Sequence, residues 1–325
     1  MQAKDIFNIE ATTDFEKNTL SVFKHQAKHN LVYKRFLSFL NTDIKAIKSS
    51  NQIPFLPIQF FKSHKIISTT SDAQFVFSSS GTTGDLTSKH YVTDIFLYEK
   101  SYLAAFKHFY GNIEDYTILA LLPSYLEREG SSLIYMVNDL INKSKKPKSG
   151  FYLNNLSELK NTIIDLDLNG EKVLLIGVSF ALLDLIENYT FNLKNTIVME
   201  TGGMKGRRKE LIRNELHQKL KMGFGVSNIH SEYGMTELLS QAYSKGNGIF
   251  ECPPWMKITV RDTEDALTLL PAGKTGGINI IDLANINSCS FIATQDLGKT
   301  YDNGTFEILG RFDHSDIRGC NLLID

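Results

Sequence analysis

Apolar positions fall into three kinds of pattern along the chain. From Phe15 to Leu40 they recur at helical spacing, at Leu20, Phe23, Leu31, Tyr33, Phe36 and Leu40 with basic residues between, which predicts helices over that opening segment. Pro54 and Pro57 interrupt the pattern, so residues 53–67 are expected to be an extended crossover into a first strand. From there to about residue 230 short apolar runs, at 75–77, 116–122, 172–177 and 196–199, alternate with helix-patterned stretches such as 131–141 and 208–221. This alternation predicts an α/β fold of mostly parallel sheets covered by helices. After residue 250 strand-like pieces at 256–260, 266–270, 276–281 and 304–309 are separated by Pro, Gly and Asn turns, with little helix. Two regions are therefore expected: an α/β core over 1–250 and a β-rich subdomain over 251–325.

Composition adds mainly exclusions. The chain has 325 residues, 42% hydrophobic and 22% charged, with a formal net charge of -1. That is the profile of an ordinary globular protein, with no global basic field to attract nucleic acid. Local basic clusters at Lys143, Lys145, Lys146 and Lys148, and at Lys205, Arg207, Arg208 and Lys209, read as solvated loops or helix starts. No window approaches the ~20 apolar residues of a membrane span and the N-terminus has no apolar signal core, so a cytoplasmic location is expected. Cys252, Cys289 and Cys320 are too few and too scattered for a disulfide framework, which leaves free thiols.

Four segments carry candidate chemistry. The loop Phe77-Ser78-Ser79-Ser80-Gly81-Thr82-Thr83-Gly84 combines hydroxyl donors with two glycines whose backbone N–H groups can converge on an anion, so it is suited to phosphate, or else is a flexible surface connector. It lacks the Gly-Lys-Ser/Thr of a Walker A loop. Glu232-Tyr233-Gly234-Met235-Thr236-Glu237 offers an aromatic face for a purine and a carboxylate for Mg²⁺, and also fits a capped helix start. In Thr294-Gln295-Asp296-Leu297-Gly298 the aspartate, at a strand end, could take both ribose hydroxyls or be an ordinary turn residue. Gly310-Arg311-Phe312-Asp313 supplies an arginine able to make a charge-assisted contact, or one that simply faces solvent.

In order and spacing the four segments resemble the acyl-adenylate-forming superfamily, with its SSGTTG, YGxTE, T-x-D-type and GRxD motifs. The resemblance implies that Ser79, Ser80, Gly81, Thr82, Thr83 and Gly84 hold the phosphates of ATP, that Tyr233 stacks on adenine, and that Thr236 contacts the α-phosphate. It further implies that Glu237 ligates Mg²⁺, that Asp296 and Arg311 hold the ribose, and that Gly202 and Gly203 form a turn beside adenine and the acyl pocket. Two departures stand out: Gly84 is followed by Asp85-Leu86-Thr87-Ser88-Lys89-His90 where the superfamily usually has G-x-P-K, and the mobile C-terminal domain expected after the GRxD hinge is absent from the sequence.

Within the superfamily the chain is similar to the acyl-protein synthetase family of the bacterial bioluminescence fatty-acid reductase. The resembling stretches are 77–84, Leu122-Pro123-Ser124-Tyr125-Leu126, Glu200-Thr201-Gly202-Gly203-Met204-Lys205-Gly206 and Asp316-Ile317-Arg318-Gly319-Cys320. That likeness implies activation of a fatty acid and its transfer to a thiol at Cys320, with Arg318 and His314 favouring the thiolate. A reductase or carrier protein would then be the acyl-accepting partner. Two other readings remain open: an aryl- or acyl-ligase of the phenylacetate type that passes its product to coenzyme A or a carrier protein, and a non-catalytic nucleotide-binding partner.

Overall fold

The computed structural model describes residues 6–9, 11–79, 87–123, 130–202 and 211–311. They form two units, one of residues 1–101, 236–240 and 251–325, the other of 102–235 and 241–250.

The first unit opens with α1 (Thr12–His29), which buries Phe15, Thr19, Val22, Phe23, Gln26 and Ala27 along one face. Asn30 ends it and caps α2 (Leu31–Phe39), its side chain accepting from the Tyr33 N–H at 2.9 Å. Phe23, Tyr33 and Phe55 surround Phe291 with ring centroids 6.0–6.3 Å apart, a packed aromatic core. The crossover after Pro54 is not extended throughout. A two-residue strand β1 (Leu56–Pro57) pairs parallel with Ile292–Ala293, and one helical turn, α3 (Phe60–Ser63), buries Phe61. β2 (Phe75–Ser78) and β3 (Lys89–Val92) follow as an antiparallel hairpin, so the hydroxyl-rich loop joins two strands. α4 (Ile95–Tyr110) follows, residues 95–101 belonging to this unit and 102–110 to the second.

The second unit is built on β4 (Tyr116–Leu121), β5 (Gly150–Phe151), β6 (Lys172–Gly177), β7 (Thr196–Glu200) and β8 (His230–Tyr233). They lie parallel in the order β5-β4-β6-β7-β8. β9 (Ala242–Ser244) adds antiparallel to β8, with β10 (Ile249–Glu251) beyond it. Between the parallel strands run α5 (Ser132–Ser144), α6 (Leu156–Leu168), α7 (Ser179–Asn188) and α8 (Arg213–Phe224). All six residues of β4 and five of six in β6 are buried, as continuous apolar runs require of strands covered on both faces. Leu119, Val173, Leu175 and Val198 share one core cluster with Leu159, Ile163, Leu182 and Leu220 from the helices.

The remaining strands return to the first unit: β11 (Met256–Arg261), β12 (Leu269–Leu270), β13 (Thr275–Asp282), β14 (Phe291–Thr300) and β15 (Phe306–Arg311), antiparallel in the order β12-β11-β13-β14-β15. The fold is α/β as expected, a helix-covered parallel sheet followed by antiparallel strands. Among the described residues no helix is long and apolar enough to cross a membrane.

Candidate active site

The segment Thr236–Ser240 follows β8 as a turn, not as the start of a helix, and side chains far away in sequence hold it. Asp282, buried at the end of β13, accepts from the N–H groups of Leu239 (2.8 Å) and Ser240 (3.0 Å) through one oxygen. Its other oxygen takes the Ser240 hydroxyl (2.6 Å) and the Ala284 N–H (3.1 Å). Burial nonetheless pushes this carboxyl up to about 6, the four donors offsetting part of the desolvation. Trp255 donates its indole N–H to Ser240 Oγ (3.0 Å) and Ser101 Oγ (3.1 Å). The carbonyls of the two motif residues are gripped as well: His90 Nδ1 lies 2.9 Å from that of Thr236, and Asn285 Nδ2 donates to that of Glu237 at 2.7 Å. Gln26 in turn ties down the Asn285 segment, donating to the carbonyls of Asn285 and Ile286, both at 3.0 Å.

Glu237 is 5% exposed, and its electrostatics name its neighbours. Burial raises its carboxyl above the usual range, a hydrogen bond from the Ser88 hydroxyl and the charge of Arg311 pull it down, and the charge of Asp296 raises it. Ser88 closes the neck of the hydroxyl-rich loop against Ser79: Ser79 N–H donates to the Ser88 carbonyl (3.1 Å) and Ser88 N–H to Ser79 Oγ (3.0 Å). Ser79 and Glu237 thus share Ser88 as a neighbour at that neck, and the charges of Asp296 and Arg311 reach the same carboxyl. Ser80, Gly81, Thr82, Thr83, Gly84, Gly203 and Cys320 lie outside the described residues.

Asp296 is not at a strand end. β14 continues to Thr300, and Asp296 sits in register opposite Arg311 on β15, with Oδ1 3.7 Å from the guanidinium Nε. The register shifts just beyond, at Leu297/Gly298, where a side chain on Gly298 would meet the Glu307 carbonyl at 2.3 Å.

Sequence reasoning missed several residues of this site. Ser88, His90, Asp282 and Asn285 carry no motif, and their roles come only from tertiary pairing. Arg261 is another: 7% exposed, it donates to the carbonyls of Ile278 (2.7 Å) and Thr294 (2.6 Å) and to Asn279 Oδ1 (2.9 Å). Burial lowers it to about 10 while the Asp296 charge supports its protonated form. Gly277 makes room for it, since a Cβ there would stand 2.7 Å from the guanidinium carbon.

In the second unit Tyr233 ends β8 and meets Phe250 edge-on, centroids 6.0 Å apart. Gly202 adopts φ +55 and donates its N–H to Glu200 Oε2 at 3.0 Å. Glu200 is buried at the end of β7, with His217 Nε2 3.5 Å and Arg213 Nε 3.7 Å from Oε1. Burial alone would raise its carboxyl, but the hydrogen bond from His217 and the Arg213 charge outweigh it and hold Glu200 below the usual range. Glu232 goes the other way, pushed up to about 8 by burial and by the Glu200 charge. Burial likewise pushes up the thiols of Cys252 and Cys289, the latter to about 12, which makes poor nucleophiles of both.

No protein-family model matches the chain, and no curated protein matches it in sequence. Solved structures do match in fold. An open conformation of 2-hydroxyisobutyryl-CoA ligase in complex with 2-HIB-AMP and CoA is 12% identical, with 93% of this chain and 70% of that one covered and a TM-score of 0.67. ATP-bound MatB from Rhodopseudomonas palustris is 17% identical over 75% of this chain and 49% of its own, with a TM-score of 0.55. The chain thus spans about half the length of MatB. These likenesses show that the chain shares the fold of those two proteins.

Proposed function

We propose that the chain activates a carboxylic acid with ATP, the carboxylate oxygen bonding to the α-phosphorus as the bond to the β-phosphate bridging oxygen breaks and pyrophosphate leaves. The observation that supports this reading is that Ser88, at the neck of the hydroxyl-rich loop, bonds to the Glu237 carboxyl, on which the charges of the paired Asp296 and Arg311 also act. The acid is already anionic at neutral pH, so no general base is required. In this reading the loop residues 79–84 and Thr236 bind the phosphates, Tyr233 stacks on adenine, Gly202 and Gly203 border the adenine and acyl pocket, and Asp296 with Arg311 orients the ribose.

The donor set also suits Mg²⁺. Among the described residues no group of three or more His, Cys, Asp or Glu could hold a metal by itself. One carboxylate plus substrate phosphates is the usual arrangement for this ion, and Glu237, a buried carboxyl raised by desolvation, gains from a cation beside it. Magnesium bound there would neutralise charge developing on the phosphates.

For the second half-reaction we place the acyl group, a medium- or long-chain fatty acid, on the Cys320 thiol: the acyl–phosphate bond breaks, a thioester forms, AMP leaves, and an acyl-accepting protein takes the group onward. Transfer to coenzyme A is a second reading, favoured by the likeness to a CoA ligase across 93% of the chain. The test is ATP–pyrophosphate exchange against short aliphatic, tetradecanoic, hexadecanoic, benzoic, phenylacetic and cinnamic acids. Exchange with one class is expected; ATP binding without exchange for any acid would sink the proposal and favour a nucleotide-binding module. A labelled acyl group retained by the parent but not by Cys320→Ser would assign the thiol, and unchanged acyl-CoA formation in that variant would assign coenzyme A.

A further inference from the structure

Beside the Thr236–Glu237 turn, three buried side-chain atoms have no hydrogen-bond partner: His90 Nε2, Thr93 Oγ1 and Asn285 Oδ1. Their residues are 0%, 5% and 0% exposed. All three residues line one cavity of about 10 Å³, together with Asp94, Leu239 and Ser288. A single water needs about 10–15 Å³ and typically makes about three hydrogen bonds.

Donor and acceptor accounting decides what fits. The Thr236 carbonyl can only accept, so His90 carries its proton on Nδ1, and Nε2 of the neutral ring is a bare acceptor. Desolvation keeps the ring neutral, pulling it down to about 4 against the raising effects of the Thr236 carbonyl and of the Asn285 side chain, which lies near the ring but meets no hydrogen-bond geometry with Nε2. Phe61 packs edge-on against the same ring, its centroid 5.7 Å away, and adds no polar group. Asn285 spends an amide proton on the Glu237 carbonyl, so its Oδ1 is also an acceptor. Two acceptors cannot satisfy each other, and Thr93 has one proton to give. A cation would need more oxygen ligands than these atoms offer. A water matches: it has two protons for the two acceptors and a lone pair for the hydroxyl.

We propose that one buried water occupies this cavity, donating to His90 Nε2 and Asn285 Oδ1 and accepting from Thr93 Oγ1, and that His90 and Asn285 so joined are positioning residues for Thr236 and Glu237. The positioning role rests on the adenylation reading; the water does not. Unpaired buried acceptors are otherwise destabilising, a penalty that the water removes while locking both rotamers.

The experiment has two parts. A high-resolution crystal structure is expected to show ordered density about 2.7–3.2 Å from all three atoms, and ¹⁵N NMR of the histidines is expected to show His90 as the Nδ1–H tautomer from pH 8 to pH 5.5. A collapsed cavity with His90 Nε2 bonded directly to Asn285, or a ring protonated on Nε2, would overturn the water. The positioning role is read from exchange kinetics. His90→Phe is expected to lower kcat about tenfold with the KM for acid little changed. His90→Asn, which retains a donor for the Thr236 carbonyl, should recover part of it. Equal kcat in all three proteins would overturn the positioning role. Absence of exchange in the parent would count against adenylation and with it the positioning role, while density and tautomer still decide the water.

Discussion

The parallel sheet of the second unit and the Thr236–Ser240 turn of the first are held by opposite kinds of force. In β4, β6 and β7 Leu119, Leu175 and Val198 pack in one apolar cluster with helix leucines and isoleucines. The turn is held by Asp282, Trp255, His90 and Asn285, each through hydrogen bonds to particular atoms. Apolar packing loses stability in proportion to the volume removed, whereas a buried polar grip leaves orphaned donors as soon as one member goes. The difference matters for function, because a site needs its groups at fixed positions and a core needs only to be full.

The sharpest way to break this contrast is Asp282→Ala. It strands the N–H groups of Leu239, Ser240 and Ala284 and the Ser240 hydroxyl, and a loss of about 4 kcal/mol in urea unfolding is expected. Leu175→Ala in β6 is the apolar counterpart and is expected to cost about 3 kcal/mol. The decisive comparison is activity: Asp282→Ala should lose pyrophosphate exchange under conditions where it is still folded, while folded Leu175→Ala should retain it. Equal retention would show that the turn does not need its grip.

The same contrast governs what was legible in the sequence. Apolar runs at 116–122, 172–177 and 196–199 match β4, β6 and β7 to within one residue, because burial on both faces writes itself into consecutive residues. The four motif segments could be picked out by eye, and the charges of Asp296 and Arg311 do act on Glu237. Their supports were not. His90 meets Thr236 across 146 positions, and Asn285 meets Glu237 across 48. Neither residue differs locally from any surface polar residue. Asp296 read as a strand end because it comes just after the apolar run 291–293, yet pairing with β13 and β15 carries β14 through to Thr300. Strand pairing is a long-range property, and local composition does not report it.

Buried charge in the second unit sharpens the comparison further. Glu232 is pushed up to about 8 by burial and by Glu200, against about 4.3 in an unfolded chain. The native state therefore holds a proton that the unfolded state has already lost, so stability falls as pH rises from about 4 to about 8 and is level above that. Glu232→Gln removes the dependence. Relative to the parent it is expected to gain stability at pH 8 compared with pH 4, with a ceiling of about 5 kcal/mol for a rise from about 4.3 to about 8 and a smaller gain for a residue that is only half-buried, by urea unfolding at both values. A gap that does not change with pH would mean that Glu232 ionises normally and that the polar cluster at the end of β7 is more open to water than its packing implies.

Arg311 supplies the smallest effect and the cleanest separation of site from scaffold. Its side chain is 72% exposed, and its 3.7 Å contact with Asp296 is a surface pair, worth less than about 0.5 kcal/mol to the fold. Arg311→Ala should therefore leave the unfolding midpoint almost unmoved. If the arginine holds nucleotide as proposed, the same change removes a charge-assisted hydrogen bond and should raise the KM for ATP several-fold, about 1 kcal/mol, in pyrophosphate exchange. Salt provides the internal control. An exposed charge is screened at 0.5 M ionic strength, so the gap between parent and variant should narrow there. Arg311→Lys keeps the charge but not the fork, and should fall between the two. A variant that loses stability and affinity together would make Arg311 a strut of the β14–β15 pair. Affinity lost alone, and recovered in part by lysine, would place the cation on the ligand, where the exposed end of a well-held pair is free to act.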